Sequence, residues 1–228
     1  MAQRTLDDLC AQLGHSFADT AILEEALIHA SANRRSGNGS DNERLEFLGD
    51  RVLGVVIADH LLRRYETADA GALARQFNTL VRRESLAEIA AQIGLGDHLK
   101  LSKSELSSGG DRKPAILADA CEAVIGALYV DGGLEAAAGF IHRYWDARAE
   151  DVAQAPKDAK TALQEFAHAR ALGPPVYTVV EQAGPPHDAR FTIEVRIEGA
   201  PPVAGNGRSK RAAEQGAAGA LLARLEDG

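Results

Sequence analysis

The distribution of proline constrains this chain of 228 residues more than any other feature, because all eight prolines lie at or beyond Pro114. Proline interrupts helices by removing a backbone N–H and clashing with the preceding turn. The residues before Pro114 therefore lack the strongest helix breaker, and their apolar residues recur at helical spacing, as in Leu6, Leu9 and Leu13. The first part of the chain is predicted to be all-helical, with exposed loops at 31–41 and 102–113.

The pattern changes in the last third of the chain, where strand-like alternation appears between two helices. We predict an all-helical domain at 1–150, a short linker at 151–157 and a small α+β domain at 158–228. The second domain has the order α-β-β-β-α. Its predicted elements are a helix at about 158–171, strands at 176–182, 191–199 and around 202–204, and a last helix from Ser209 to about Leu225.

The charge is divided as unevenly as the proline. The formal net charge of −8 argues against a nucleic-acid partner when taken for the whole chain. Residues 157–228, however, contain 9 Lys and Arg and 9 Asp and Glu and are neutral, so the whole excess lies in residues 1–156. This difference indicates two parts with different roles.

Composition limits the class and the compartment. The 45% hydrophobic and 25% charged residues are typical of a globular protein. The apolar stretch Val52–Ala58 is too short to span a membrane, and the first residues lack the pattern of a secretion signal. We expect a cytoplasmic protein with no membrane partner. Two cysteines, Cys10 and Cys121, argue against a disulfide framework or a cysteine zinc site.

Two helical segments carry acidic residues on one face. Glu43, Glu46 and Asp50 are spaced three and four apart, which alone is typical of a solvated helix face. Asp119 and Glu122 are the only charged residues between positions 114 and 130, so their helix is apolar almost all round. A carboxylate buried in such a helix must be paired, protonated or metal-bound, and no basic residue lies three or four positions away to pair with it.

Together the two segments predict a metal site. Four converging carboxylates form an oxygen-rich site that suits Mg²⁺ or Mn²⁺ rather than zinc, which prefers histidine or cysteine. Such sites serve phosphoryl chemistry, in which the metal activates water and stabilises the leaving oxygen. From composition and spacing alone, we interpret the chain as a metal-dependent phosphoester hydrolase.

The same segments resemble a known family. NERLEFLGDRVLG and SSGGDRKPAILADACEAVIGALYVDGG are similar to the two active-site segments of bacterial ribonuclease III, and the similarity extends over essentially the whole chain. The resemblance implies an all-α endonuclease domain followed by a small α+β double-stranded RNA-binding domain. It places the metal ligands at Glu46, Asp50, Asp119 and Glu122, with Asp50 and Glu122 catalytic, and Glu43 in the RNA-binding valley.

The resemblance also implies partners and products. Family members are homodimers that cut each strand of an RNA duplex, leaving 5′-phosphate and 3′-hydroxyl ends with a short 3′ overhang. The cofactor would be Mg²⁺, with Mn²⁺ able to substitute, and no organic cofactor is expected. The family usually has an acidic-Gly-acidic-Leu segment where this chain reads Ala70-Gly71-Ala72-Leu73, so an auxiliary acidic position is lost. Because the four principal ligands are present, we expect activity to survive.

The tail resembles the RNA-binding domain at the same place in that family. A helix N-terminus with basic side chains is a ready phosphate site, and duplex RNA is recognised by its shape and its 2′-hydroxyls. Asp188 and Ala189 stand where the family often has basic residues, which would lower affinity. The predicted RNA-binding residues are Thr161, Gln164, Glu165, His168, His187, Arg208, Ser209, Lys210 and Arg211.

Three functions stay open from the sequence. The leading hypothesis is a Mg²⁺-dependent endoribonuclease specific for double-stranded RNA. The family resemblance implies that its substrates are ribosomal RNA precursors, structured messenger RNAs and transfer RNAs. A non-catalytic double-stranded RNA-binding protein is the alternative, although it would not require four clustered carboxylates. A phosphohydrolase acting on small phosphate esters would leave the tail unexplained.

Overall fold

The protein is described by a computed structural model, which covers residues 5–33, 40–154, 158–185 and 189–226. The chain forms two compact units, Met1–Gln154 and Ala155–Gly228. The first unit is helical and the second contains a three-stranded sheet with two helices. The predicted fold class, an all-α domain followed by an α-β-β-β-α domain, is confirmed.

The first unit contains eight α-helices within the described residues. Local signals in the sequence fix their ends, as in the first helix, where Thr5 and Asp8 form a capping box and Gly14 ends the helix in a left-handed conformation with φ 70°. The helices are α1 (Leu6–Leu13), α2 (Thr20–Ala26), α3 (Ala30–Asn33), α4 (Glu43–Arg64), α5 (Ala70–Leu80), α6 (Arg83–Gln92), α7 (Lys103–Ser107) and α8 (Pro114–Gln154).

The helices α4 and α8 form the centre of the unit, and the other helices pack around them. Within α8, Gly133 has a non-helical backbone (φ 69°, ψ −168°) that divides the helix into two segments. Trp145 in the second segment is fully buried, and its Nε1 donates a hydrogen bond to the Leu80 carbonyl oxygen at 3.0 Å. The core therefore extends along both segments.

By length and composition, residues 114–153 of α8 could also cross a membrane. In this unit, however, Ala120, Val124 and Leu128 of the same stretch are fully buried against neighbouring helices. The stretch also contains two carboxylates, Asp119 and Glu122. This is the arrangement of a core helix.

Three predicted boundaries in the first unit differ from the structure. Residues 31–33, predicted as loop, belong to α3, while 34–39 lie outside the described residues. The stretch 102–113 forms α7 and a 3₁₀ turn, because the Ser102 hydroxyl caps α7 by accepting from the Glu105 N–H. Residues 151–154, predicted as linker, continue α8, where Val152 packs against the core.

The second unit is a sheet covered by two helices. Its three strands pair antiparallel in the order in which they follow one another along the chain, with an irregularity between Val179 and Glu181 in the first strand. The core combines residues of both helices and of the second strand, including Leu163, Val195 and Leu221. The elements are α9 (Ala159–Ala169), β1 (Val176–Ala183), β2 (Arg190–Arg196), β3 (Val203–Gly207) and α10 (Lys210–Glu226).

The third strand extends further than predicted, to Gly207, which pairs with Phe191 of β2, and its glycines allow α10 to approach it closely. A Cβ at Gly205 would clash with the Ala217 backbone, and one at Gly207 would clash with the Ala213 backbone. The glycines that weaken the strand signal in the sequence are thus the residues that allow the helix to pack on the strand.

Candidate active site and RNA-binding surface

The helices α4 and α8 come together at two glycines. A Cβ at Gly49 would overlap the Glu122 carbonyl oxygen, and a Cβ at Gly126 would overlap the Leu45 carbonyl oxygen. The two backbones are therefore in direct contact at Gly49 and Gly126, because a side chain at either position would keep the helices apart. This contact brings the acidic face of α4 against the acidic face of α8.

Three of the predicted metal ligands meet at this contact. Glu46 of α4 and Asp119 and Glu122 of α8 each offer a carboxylate oxygen, and these oxygens lie within 4.8 Å of one another. All three residues are partly buried. The structure thus brings together side chains that lie more than 70 residues apart in the chain.

Burial raises the pKa of all three carboxylic acids, and the charges of neighbouring acids add to this effect for Glu46 and Glu122. Burial, and after it the charges of Asp50, Glu46 and Asp119, together raise the pKa of Glu122 to about 8. Burial also raises the pKa of Glu46, with the charge of Asp119 as the next cause. Burial likewise raises the pKa of Asp119. The cluster therefore holds more negative charge than its surroundings accommodate.

This repulsion fits a divalent cation. A cation placed among the three carboxylates would stabilise their charged forms and so oppose the burial and repulsion that now raise their pKa values. Carboxylate oxygens without histidine or cysteine are the ligand type that Mg²⁺ and Mn²⁺ prefer. The donor set and its electrostatics therefore suit the divalent metal that the family implies.

Two basic residues near the cluster were missed from the sequence. The charge of Arg83, the first residue of α6, lowers the pKa of all three carboxylic acids, and the charge of His29 lowers that of Asp119. Neither residue lies at helical spacing from the acidic residues. Only the packing of separate segments brings them near the site.

Two other predicted residues lie beside the cluster rather than within it. Among the residues that the structure describes, Asp50 does not belong to the group of three carboxylates. Its Oδ2 accepts a hydrogen bond from Arg51 Nη1 at 2.8 Å. Its charge nevertheless raises the pKa of Glu122 and Glu46. Glu43 is exposed at the start of α4, and its charge also raises the pKa of Glu46.

The segment that departs from the family pattern starts α5. Asp69 is the N-cap of this helix, and its Oδ1 accepts a hydrogen bond from the Ala72 N–H at 2.7 Å. The only carboxylate near Ala70 and Ala72 in sequence is therefore used to begin a helix.

The second unit has a concavity of about 540 Å³ between the start of α9 and the start of α10. Thr161 and Gln164 of α9 and Arg211 of α10 line it, together with Tyr177 of β1. The structure thus brings three of the predicted RNA-binding residues to one surface. A neutral polar pair and a guanidinium on the same concavity suit a ligand with both hydroxyls and phosphates.

Hydrogen bonds that the sequence did not reveal hold the two helix starts together. Asp158 caps α9 through the Thr161 N–H at 3.1 Å and also accepts from the Gln215 side chain. Lys160 donates to Glu214 at 2.6 Å and lies 4.5 Å from the centre of the Tyr177 ring. These residues fix the concavity rather than add positive charge to it.

The remaining predicted RNA-binding residues are spread over other surfaces. Arg208 lines a different concavity, which lies along the sheet beside Arg190 and Asn206. Ser209 caps α10 by accepting from the Ala212 N–H at 3.1 Å, and Lys210 is exposed beside it. The basic cluster therefore faces more than one direction. Glu165 and His168 lie on α9, whereas His187 lies outside the described residues.

Comparisons with known proteins match both units. Residues 19–147 match the family model described as ribonuclease-III-like, and residues 159–225 match the double-stranded RNA binding motif. These matches define the class of protein, an endoribonuclease joined to a double-stranded RNA-binding motif.

Relatives match over nearly the whole chain. Ribonuclease 3 of Cereibacter sphaeroides is 50% identical over 216 residues, which are 95% of this chain and 93% of that protein. Ribonuclease 3 of Mesorhizobium japonicum is 49% identical over 211 residues, 92% of this chain and 95% of that protein. The chain belongs to the ribonuclease III family.

A solved structure matches the first unit. The nuclease domain of ribonuclease III from Campylobacter jejuni, described with a region involved in dimer formation, is 36% identical and has a TM-score of 0.59. The match covers 63% of this chain and 97% of that one.

Proposed function

We propose that the chain is a Mg²⁺-dependent endonuclease that cleaves double-stranded RNA to 5′-phosphate and 3′-hydroxyl ends with a short 3′ overhang. The observation that carries this proposal is the convergence of Glu46, Asp119 and Glu122 within 4.8 Å at a buried helix contact. Mn²⁺ would substitute for Mg²⁺, since both take oxygen ligands. Residues 1–150 would form the catalytic and dimerisation domain and residues 158–228 the RNA-binding domain.

In this proposal each carboxylate has a role. Glu46, Asp119 and Glu122 would hold the ion, which when bound would activate water and stabilise the leaving oxygen of the phosphodiester. Asp50 would help to hold the ion and would orient the attacking water by accepting a hydrogen bond from it. The Asp50–Arg51 ion pair is half-exposed, so releasing Asp50 for this role costs little. Glu43 would face the RNA.

A homodimer is supported by an apolar surface on α4. Phe47, Val55 and Leu62 are between 60% and 65% exposed and lie along one face of the helix. Tyr129, Val130 and Leu134 of α8 are also exposed. A region of dimer formation is described for the nuclease domain from Campylobacter jejuni.

We expect Val55→Asp to shift this chain from dimer to monomer in light scattering, because it places a charge in the apolar surface. Leu106 is an exposed leucine on α7, and Leu106→Asp should leave the dimer unchanged.

The second unit would hold the duplex by its shape. Thr161, Gln164, Glu165, His168 and His187 would contact the minor groove. Arg208, Ser209, Lys210 and Arg211 would contact phosphates, aided by the N-terminus of α10. The physiological substrates would be precursors of ribosomal RNA, structured messenger RNAs and transfer RNAs in the cytoplasm.

One assay separates this proposal from its alternatives. The full chain with Mg²⁺ is given a duplex RNA, a single-stranded RNA of the same sequence and a simple phosphate ester. Cleavage of the duplex alone supports the proposal. Binding of the duplex without cleavage would support a non-catalytic RNA-binding protein, and hydrolysis of the ester would support a general phosphohydrolase.

A further inference from the structure

A second group of metal-ligating side chains lies away from the carboxylates. His60 of α4 and His142 and Asp146 of α8 each offer one ligand atom, and these atoms lie within 4.8 Å of one another. His142 Nδ1 is 3.0 Å from Asp146 Oδ1, and His60 Nδ1 is 3.6 Å from the same oxygen. The two imidazole ring centres are 5.3 Å apart.

We propose that His60, His142 and Asp146 form a second metal site, which takes Zn²⁺ or a similar divalent transition-metal ion. Two imidazoles and one carboxylate are a ligand set typical of zinc, whereas the carboxylate cluster suits Mg²⁺. In a tetrahedral zinc site with bonds of about 2.0–2.1 Å, ligand atoms lie roughly 3.3 Å apart. Two of the three separations here are already close to that value.

The site is accessible and its three ligands are held from two helices. His142 and Asp146 are four residues apart on the second segment of α8, so they share one face of that segment. His60 is mostly buried, whereas His142 and Asp146 are about half-exposed. A zinc ion could therefore enter from solvent and complete its coordination with water.

The site is separate from the proposed active site and does not depend on the proposed function. His60 follows Glu46 by 14 residues, which is about 21 Å along α4. A metal there would act by joining α4 to the second segment of α8. The same pair of segments is already joined by the hydrogen bond from Tyr65 Oη to the Ala149 carbonyl oxygen at 3.2 Å and by the Arg64–Glu150 ion pair at 3.6 Å.

A plain ion pair is the competing explanation. Histidines paired with Asp146 would give the same distances without any metal, and an exposed i,i+4 pair of this kind contributes little to stability. Asp59, which accepts a hydrogen bond from Arg63 at 2.8 Å, is another charged group near the two histidines. The two explanations differ in whether zinc binds and in which residues its binding requires.

The test uses the full chain without an affinity tag, at about pH 8, where imidazole is neutral and free to bind a metal. Binding of Zn²⁺ is measured by calorimetry in excess Mg²⁺, and the absorbance of bound Co²⁺ reports tetrahedral geometry. The variants are His142→Gln and Asp146→Asn. The controls are His98→Gln, a histidine outside the cluster, and Glu122→Gln, which alters the carboxylate cluster. Circular dichroism is used to check that each variant is folded.

We expect one Zn²⁺ to bind per chain and to raise the melting temperature. His142→Gln and Asp146→Asn should each weaken binding by more than the roughly 10–100-fold that changes around a metal site cost. Both controls should bind Zn²⁺ as the wild type does. Absence of Zn²⁺ binding, or binding that survives both ligand substitutions, would overturn the proposal, as would a loss of binding in Glu122→Gln.

Discussion

The carboxylate cluster of the first unit and the RNA-binding surface of the second differ in how their groups are held. Glu46, Asp119 and Glu122 are partly buried, repel one another and are fixed by a contact between two backbones. Lys210 and Arg211 are exposed at the start of α10 and face solvent. Metal binding by the carboxylate cluster depends on ligand positions to within about an ångström, whereas duplex binding by the RNA-binding surface depends on its total charge and shape.

This difference matches two physical tasks. Phosphoryl chemistry requires ligands at fixed separations, and that geometry is maintained against electrostatic repulsion by the rest of the fold. Shape-directed binding of a duplex sums many weak contacts, none of which needs a buried position. Changes in the first unit should therefore act on the cleavage step in an all-or-none way, whereas changes in the second should act on affinity in a graded way.

The largest expected effect comes from one carboxylate. Glu122→Gln keeps the size of the side chain and removes a charge that would hold the metal, so we expect cleavage to fall by at least about 10²–10³-fold. Asp50→Asn should act in the same direction. Duplex binding, measured by filter retention, should stay within about twofold, because RNA affinity would come mainly from the second unit.

The matched control is Glu135→Gln, an exposed glutamate on the same helix α8. It removes one charge from the unit without touching the cluster, and it should cleave at the wild-type rate. Normal turnover by both Glu122→Gln and Asp50→Asn in Mg²⁺ would show that the site is assigned wrongly.

The next effect tests whether geometry alone matters. Gly49→Ala adds no charge but places a Cβ against the Glu122 backbone, so the two helices must separate. We expect a loss of about 1–3 kcal/mol in the free energy of unfolding and a large loss of cleavage. Denaturant unfolding and a cleavage assay at a temperature where the variant is folded measure the two effects.

Gly139→Ala is the matched control, since nothing lies within 4 Å of a Cβ at that position of α8. It should stabilise the chain by about 0.5–1 kcal/mol and leave cleavage unchanged. If Gly49→Ala behaved in the same way, the close helix contact would not be what positions the carboxylates.

A graded effect is expected in the second unit. Replacing Arg208, Lys210 and Arg211 by alanine should weaken duplex binding by roughly 10–100-fold at physiological salt and lower the salt dependence by about one power for each lost phosphate contact. The cleavage rate at saturating RNA should stay near that of the wild type. Titrations at several salt concentrations measure both quantities.

Arg224→Ala, at the other end of α10, removes one positive charge and is compared with Lys210→Ala, which removes one charge at the helix start. It should leave affinity within about twofold of the wild type. Equal effects of the two changes would mean that binding follows overall charge rather than the basic cluster at the helix start.

The smallest expected effect is on how the stability of the folded chain depends on pH. In EDTA, Glu122 keeps its proton in the folded chain up to about pH 8, whereas in the unfolded chain it ionises near its ordinary pKa of about 4.3. The unfolded state then binds fewer protons, so this group lowers stability as pH rises from about 4 to 8. Glu122→Gln should remove that slope and raise the melting temperature at pH 8 by roughly 2–8 °C.

Mg²⁺ should produce a related shift in the wild type, because a ligand that binds only the folded state stabilises it. Calorimetric scans with and without Mg²⁺ measure this shift. We expect it to be much smaller in Glu122→Gln. An equal Mg²⁺ shift in both proteins would place the metal elsewhere.

The sequence predicted the elements better than their contacts. Helical spacing and the absence of proline located α4 and α8, and strand alternation located β1 and β2. It did not predict that Gly49 and Gly126 bring the two helices into contact, because a glycine within a helix gives no signal of its own. Nor could it separate Asp50 from the other carboxylates, since all four positions fit the same helical spacing.

Arg83 and His60 were not predicted from the sequence for the same reason. Arg83 lies near the carboxylates, and His60 lies near His142, only because segments distant in sequence pack together. The spacing of His142 and Asp146 on one helix face was a signal in the sequence, but it was incomplete without His60. Positions that depend on tertiary packing were therefore the ones that sequence patterns could not supply.

The proposed role of the carboxylates of the first unit is to cleave RNA with a divalent metal. The most direct test binds duplex RNA to the full chain in EDTA and then adds excess Mg²⁺, recording cleavage in a single turnover. The wild type should cut only after Mg²⁺ is added, and Glu122→Gln should stay bound and uncut. Cleavage by the wild type in EDTA, or rapid cleavage by Glu122→Gln after Mg²⁺, would contradict this role of the carboxylates.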